Sequence, residues 1–359
     1  MTTRADMGRS LALDPTAPTK TFVVEAHADQ PHALLEDIVG SKNVEPTSDA
    51  FLYRAMLPEG VLWVDQLDER FWSVHTDLQT QVVRAFLKKE VDQRRELDWM
   101  WLPSAHLRNL SPNAISRRVH TVFDGSGFLD GESPARGLRV QLSGKGAAGL
   151  LDHISNIDEY RSSVSFDRVQ ASLADSDLGQ IEEGVNRMGH FLVTGDSFEF
   201  HAQFVRYVVQ RYRRLVGLCE DRALSYKPYT TGSAGDDGTG GGVWGGPIVI
   251  RFSRRVNDLD AFMGTLFSSR APYRLWGAPE IKSDYAEVHA VDLHVANGIR
   301  LDVGRDWLRI YLDEGSCGNT VARLVSNLQH TFDGALSFVD PELQGALEAK
   351  DPSLLGVYN

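Results

Sequence analysis

From residue 230 to residue 246 the chain reads Thr-Thr-Gly-Ser-Ala-Gly-Asp-Asp-Gly-Thr-Gly-Gly-Gly-Val-Trp-Gly-Gly, which no hydrophobic core can absorb. Glycine at this density adds backbone freedom that folding would have to remove, so such a run is expected to stay outside packed elements. A long ordered loop within one domain is the alternative. We read 231–246 as a glycine-rich linker between two bodies, with Trp244 pinning its end to a surface. A chain of 359 residues has material for about two domains, or two and a smaller third.

The segments on either side share an order. After the run, Pro247–Phe252 reads as a strand, and Asp258–Phe267 as a helix with Leu259, Phe262, Met263 and Leu266 on one face. Strand-like segments follow near Tyr273, at Glu287–Val295, Ile299–Val303 and Leu308–Leu312, before a closing helix Asn319–Phe332. Before the run, Leu138–Leu142 is a strand and Leu150, Leu151, Ile154 and Ile157 mark a helix. A strand opens at Tyr160-Arg161, Phe191–Val193 and Phe198–Phe200 form a hairpin, and a long helix carries Phe204, Val208, Tyr212, Leu215 and Cys219 inward. A third copy runs from strand Thr21–Glu25 through helix His32–Val39 and strand segments at Phe51–Arg54, Val61–Val64 and Phe71–Val74 to helix Gln79–Val91.

The fold class is therefore α+β: tandem β-α-β(n)-α units, mainly antiparallel sheets with helices packed on one face. The expected divisions are a flexible tail 1–20, a first unit 21–103, a connecting segment 104–137, repeat units 138–230 and 247–340 around the linker, and a tail 341–359. The element order resembles that of TATA-box-binding-protein-like and helix-grip domains, a likeness of architecture that carries no functional residue.

Register arguments produce one polar constellation. Pairing Val295 with Ile299 and Leu293 with Leu301, through a three-residue loop with Gly298 left-handed, keeps the apolar side chains together. A turn at Gly304–Trp307 aligns Leu301 with Ile310 and Asp302 with Arg309. The outer face then carries Asp292, His294, Arg300, Asp302, Arg309 and Tyr311 as a candidate binding surface, with Asp292 opposite Asp302. Like charges so placed call for a cation between them, supplied by Arg309 or Arg300. The plain reading is a solvated ion-paired face; the sharper ones are a recognition surface or a metal-assisted site using Asp292, His294 and Asp302.

A second candidate is the loop Gly315, Ser316, Cys317, Gly318, Asn319 and Thr320, entering a helix. Its N–H groups suit an anion, and Cys317 would have a lowered pKa there. An ordinary cap by Asn319 or Thr320 explains the same composition. A third is a basic patch of Arg206, Arg211, Arg213 and Arg214 along the long helix, which is also what the wet face of any helix looks like. His27 and His32 lie near Glu25 and Asp29, so metal binding is one reading, yet their spacing does not set both imidazoles on one helical face, and solvent exposure is expected. His201 has no evident partner.

No nucleophile elbow, P-loop, dinucleotide fingerprint or zinc signature is present, so no metal ligand set is assigned and no cofactor is identified. Cys219 and Cys317 belong to no Cys/His cluster, which points to a reducing, cytoplasmic setting. A net charge of −12 disfavours nucleic acid as partner, and no apolar run is long enough to cross a membrane. The expected function is non-enzymatic recognition of a small ligand, peptide or protein through sheet surfaces or an inter-domain cleft. The alternatives are a metal-assisted hydrolase using Asp292, His294 and Asp302, and nucleic-acid binding through the arginine-bearing helix 204–218.

Overall fold

A computed structural model describes residues 2–11, 18–110, 114–129, 131, 136–230 and 239–348. The chain is an α+β protein built on mainly antiparallel sheets. Its N-terminal part runs α1 (Arg4–Ser10), β1 (Thr19–Ala26), α2 (Pro31–Val39), β2 (Val44–Pro46), β3 (Leu52–Leu57), β4 (Gly60–Gln66), β5 (Phe71–Thr76), α3 (Thr80–Gln93), β6 (Leu97–Trp99) and α4 (Ser104–Arg108). It continues through β7 (Ile115–Asp124), β8 (Gly137–Ser143), α5 (Ala147–Ser155), β9 (Arg168–Asp175), β10 (Gly179–Asn186), β11 (His190–Gly195) and α6 (Phe198–Glu220).

Among the described residues these strands form one 11-stranded sheet in the order β2-β3-β4-β5-β1-β11-β10-β9-β7-β8, with β6 also on β1. The first two expected units thus share a sheet, joined where β1 pairs with both β5 and β11. Helices cover both faces, not one. Phe22, Val24 and Ala26 of β1 pack with Val83, Leu87 and Val91 of α3, while Val23 packs with Phe204, Val208 and Tyr212 of α6. Strand alternation makes this possible, because successive side chains of β1 point to opposite faces.

The chain then makes a ribbon, β12 (Ser225–Thr230) against β13 (Thr239–Trp244), outside both large sheets. The linker expected over 231–246 falls partly outside the described residues, and its second half is this strand. Pairing gives the glycines a use: a Cβ on Gly241 would lie 1.5 Å from the Tyr226 hydroxyl, so only glycine lets that ring cross the ribbon.

The C-terminal part runs β14 (Ile248–Arg251), α7 (Leu259–Leu266), β15 (Leu275–Gly277), β16 (Glu280–Ile281), β17 (Tyr285–Asp292), β18 (Gly298–Gly304), β19 (Trp307–Leu312), α8 (Asn319–Thr331), β20 (Ser337–Phe338) and α9 (Pro341–Leu347). A 7-stranded sheet takes the order β15-β17-β18-β19-β14-β20, with β16 on β17. The first and third units share a topology, their opening strands pairing with the last strand of the meander (β1 with β5, β14 with β19). The middle unit differs, since β8 pairs with β7 at the sheet's far edge.

Several local expectations are corrected. Residues 2–11 are not a tail: Thr3 and Asp6 form a capping box, and Met7 and Leu11 pack on Leu52 and Trp63. Phe198 opens a helix because the Ser197 side chain accepts the Phe200 N–H, so the hairpin partner of β11 is β10. Tyr160-Arg161 lies in a turn and short 3-10 segment. Residues of the expected tail 341–359 contribute α9, whose Leu343 and Leu347 enter the C-terminal core.

Helix α8 lies between the two sheets, with every residue from Asn319 to His330 buried. It approaches α6 closely at Gly318, where a Cβ would sit 2.2 Å from the Val216 carbonyl oxygen. Substitution Gly318→Ala is therefore expected to destabilise the protein by about 1–3 kcal/mol, the usual range for overpacking. Chemical denaturation measures it.

Candidate metal centre

The C-terminal end of β1 carries Glu25 on the face that looks toward α6 and α8. The chain leaves the strand through His27, whose N–H donates to the Glu96 carbonyl at 2.8 Å. From the other end of the sequence come two more side chains. His294 sits in the turn between β17 and β18, and Cys317 lies just before Gly318, the N-cap of α8. The donor atoms of Glu25, His27, His294 and Cys317 all lie within 4.8 Å of one another. Nε2 of His27 is 3.2 Å from one Glu25 oxygen and Nε2 of His294 is 3.4 Å from the other. Cys317 Sγ lies 3.5 and 3.7 Å from the same two oxygens. Tetrahedral coordination with metal–nitrogen bonds near 2.0 Å and metal–sulfur bonds near 2.3 Å needs donor separations of about 3.3–3.8 Å. The separations measured from the Glu25 oxygens already approximate that spacing.

The histidines give the clearest signal. His294 is wholly buried, and neither ring nitrogen has a hydrogen-bond partner; Nε2 of His27 lacks one too. A buried polar atom left unpaired costs about 1–3 kcal/mol, and here Nε2 of His27 and Nε2 of His294 both point toward Glu25. The turn carrying His294 holds Val295 at φ 54° and Ala296 at φ 60°. A β-branched residue in the left-handed region is strained backbone, of the kind that collects around functional side chains.

Arg70, just before β5, controls the electrostatics. Its guanidinium pairs closely with Glu25, donates to Glu220 at 2.8 Å and to Cys317 Sγ at 3.1 Å. Burial pushes the Glu25 carboxyl up, but Arg70 and the two imidazoles outweigh it and hold Glu25 well below the usual carboxylate range. Burial and the Glu25 charge drive the Cys317 thiol well above its ordinary value, against Arg70. The expected low-pKa cysteine is thus a neutral thiol, because desolvation exceeds the help from the helix start. Glu25, Glu220 and a Cys317 thiolate would carry three negative charges, matched by Arg70 and a divalent cation together. Thiolate and imidazoles select a borderline-soft ion such as Zn²⁺ over Mg²⁺ or Ca²⁺. His27, about one-third exposed, faces an open polar cleft of about 660 Å³ bordered by Asp29, Glu69, Arg70, Arg213 and Glu220.

The sequence-derived candidates are redistributed. In the β17–β18 hairpin Val291 pairs with Gly298 and Glu287 with Asp302, so Asp292 does not face Asp302. The next hairpin keeps the expected pairs, Leu301 with Ile310 and Asp302 with Arg309. Arg300 reaches Asp302 at 3.2 Å and Glu287 at 3.8 Å, bridging a carboxylate pair displaced along β17 from the one anticipated. Arg300 also lies over Tyr311, and Arg309 over Trp307. Asp292 is buried and pairs with Arg323 of α8, which pairs with Asp98 on its other side. The faces of β17 are the reverse of those expected because Asp292, paired with the buried Arg323, belongs to the inner face.

In the expected anion loop, Gly318 is the N-cap and its N–H donates to Glu220 at 2.8 Å. Ser316 donates to the Gly298 carbonyl, Asn319 accepts from the Tyr212 hydroxyl, and Thr320 donates to Asp292. Gly315 takes a positive φ of 80°. These groups serve one another and leave no anion cradle. The arginine helix is no single patch. Arg211 turns inward to the Asn109 and Leu110 carbonyls, Arg206 pairs with Asp65, Arg213 with Asp68, and Arg214 is also engaged. His201 is buried between Glu183 at 2.8 Å and Thr21 at 2.7 Å, in a chain that continues to His75 and Ser73.

A family model described as "MJECL33-like protein" matches residues 10–344. The "Uncharacterized protein MJECL33" of Methanocaldococcus jannaschii is 24% identical over 356 residues, covering 88% of this chain and 84% of its own. No solved structure matches. Among the described residues, no helix is long and apolar enough to cross a membrane.

Proposed function

This chain belongs to the MJECL33-like protein family, and we propose that it is a metal-dependent protein holding a zinc-class ion through Glu25, His27, His294 and Cys317. The observation that carries this reading is the fully buried His294 imidazole, with no hydrogen bond at either nitrogen, set against a thiol and a carboxylate. Such an ion would supply Lewis acidity to water or a substrate oxygen only where one coordination position is open, and His27, the partly exposed donor, is the ligand that would yield it. Access comes from the His27 side, where the cleft presents Arg213, Asp29 and Glu69 to an incoming polar substrate. Arg70 holds Glu25 charged and oriented, while α8 fixes Cys317 through Gly318. The reading is metal-assisted chemistry of the hydrolytic class, in a reducing compartment where the thiol is preserved. Its ligand set differs from the one expected from sequence: His294 stays, and Asp292 and Asp302 leave.

The test is elemental analysis of protein purified with zinc and then dialysed, with cobalt substitution to read the coordination. About one ion per chain is expected, with a thiolate-to-cobalt charge-transfer band. His294→Ala and Cys317→Ala should each lose the ion, and Asp302→Ala should keep it. A wild-type chain that retains no zinc and takes up neither cobalt nor nickel would sink the reading.

A further inference from the structure

The opposite face of the large sheet holds a different kind of site. Helices α2 and α3 cover that face only over the β1–β5 end. Among the described residues no helix covers it from β1 across β11, β10, β9, β7 and β8, and α3 stands as a wall beside it. The result is a groove of about 440 Å³. Four cations line it: Lys20 from β1, Arg84 from α3, Arg118 from β7 and Arg168 from β9. Among the described residues, none of the three arginines has a carboxylate oxygen within 4.0 Å. Lys20 donates only to the Asp77 carbonyl, at 2.9 Å. Among the lining residues the sole carboxylate, Glu182, is engaged by the Ser172 hydroxyl, which also receives Arg117 at 2.6 Å.

The floor carries an unsatisfied group as well. His190 stacks edge-on against Phe22 and Trp99, and its buried Nε2 has no hydrogen-bond partner. Burial, with the charges of Arg84 and Arg168, pushes this histidine down to about 3, so it is a neutral imidazole at physiological pH. Asn186, Gln170 and Gln141 add neutral polar groups between the cations.

We propose that this groove binds a small ligand carrying two or more phosphate groups, held by Arg84, Arg118, Arg168 and Lys20. Unpaired guanidinium groups converging on one concavity are the usual complement to phosphate oxygens. In a chain of net charge −12 their segregation here is local charge complementarity and not a general basic surface. The volume suits a molecule of nucleotide size. A single-stranded nucleic acid is the less apt occupant: the aromatic rings lining the groove, Phe22 and Phe191, are 1% and 2% exposed and offer no face for stacked bases. The groove lies on the face of β1 opposite to Glu25, so this inference stands apart from the metal reading.

Calorimetric titration of the full chain with inorganic tripolyphosphate tests it, using chelator-treated protein so that capture by a metal ion is not what is measured. One site per chain is expected, with affinity falling as salt rises. The double substitution Arg118→Ala/Arg168→Ala should weaken binding at least about a hundredfold, each lost charge-assisted contact being worth about tenfold or more. Arg309→Ala, on the other sheet, should leave it unchanged. All three arginines are exposed, so the variants are expected to melt like wild type. Absence of binding at low salt, equal weakening by Arg309→Ala, or loss of binding on chelation would each overturn the proposal. So would tighter binding of a single-stranded oligonucleotide through the same arginines.

Discussion

Replacing Arg323 with methionine is expected to cost the fold about 3–5 kcal/mol, because it leaves Asp98 and Asp292 as buried charges without their shared cation. Arg323 is fully buried, bonds both carboxylates, and donates from Nε to the Tyr273 carbonyl at 3.0 Å. Asp98 is reached from β6 of the large sheet and Asp292 from β17 of the small one, so this arginine ties the two sheets through α8. A triple variant, Asp98→Asn/Asp292→Asn/Arg323→Met, should recover much of the loss, since neutral amides do not need the cation. Urea unfolding of the three proteins measures the difference; equal stability of Arg323→Met and wild type would show that water or Arg274 already satisfies the carboxylates. The pH dependence has a definite sign. Burial pushes Asp98 up, but Arg323 outweighs it and leaves the carboxyl below its ordinary value. A depressed carboxyl contributes stability above its unfolded pKa and loses it as pH falls through the folded one. In Arg323→Met the shift reverses, so the gap between variant and wild type should narrow as pH drops from 7 toward about 4.

Zinc should raise the melting temperature of wild-type protein and not that of Cys317→Ala. At a free concentration near a thousandfold above Kd, linkage predicts about 4 kcal/mol of added stability, read as an upward shift of several degrees. The ligands span the molecule, with Glu25 and His27 on the large sheet and His294 and Cys317 beside the small one. Hence the shift should appear in the melting of both sheets at once. Magnesium at the same concentration should have no effect, since thiolate and imidazole donors do not suit it. A magnesium shift equal to that of zinc would mean that the gain comes from carboxylates elsewhere.

Sequence patterning reached the α+β class with mainly antiparallel sheets, because alternation and helical spacing are local signals. It reached the β18–β19 register as well, where the turn length is short and Leu301, Ile310 and Val303 alternate cleanly. It failed one hairpin earlier. Asp292 reads as an outward residue until Arg323 is known to enter the core, and nothing in the stripe Val321, Leu324, Val325, Leu328 says that α8 is buried all round. Arg211 misleads in the same way, its guanidinium capping buried carbonyls from within an apparently wet face. For the metal cluster, His294 and Cys317 were both singled out, but with other companions. Glu25 and His27 are two residues apart at a strand end, where the spacing predicts a solvent-facing His27. Only the packing of α8 and the β17–β18 turn against β1 brings the four together, and a single sequence records no such long-range proximity.

The separation of these ligands along the chain has a kinetic consequence. Cys317 follows Glu25 by 292 residues, and β1, made early, lies centrally between β5 and the much later β11. At ribosomal rates of about 5–20 residues per second, the first ligand waits on the order of 15–60 seconds for the last. Loop-closure entropy of that length must be overcome before the ion finds a complete set of donors. A nascent or truncated chain ending before Cys317 would therefore lack one of the proposed ligands, and metal loading would act as a timer that marks the moment at which β1 of the large sheet has met the β17–β18 turn of the small one.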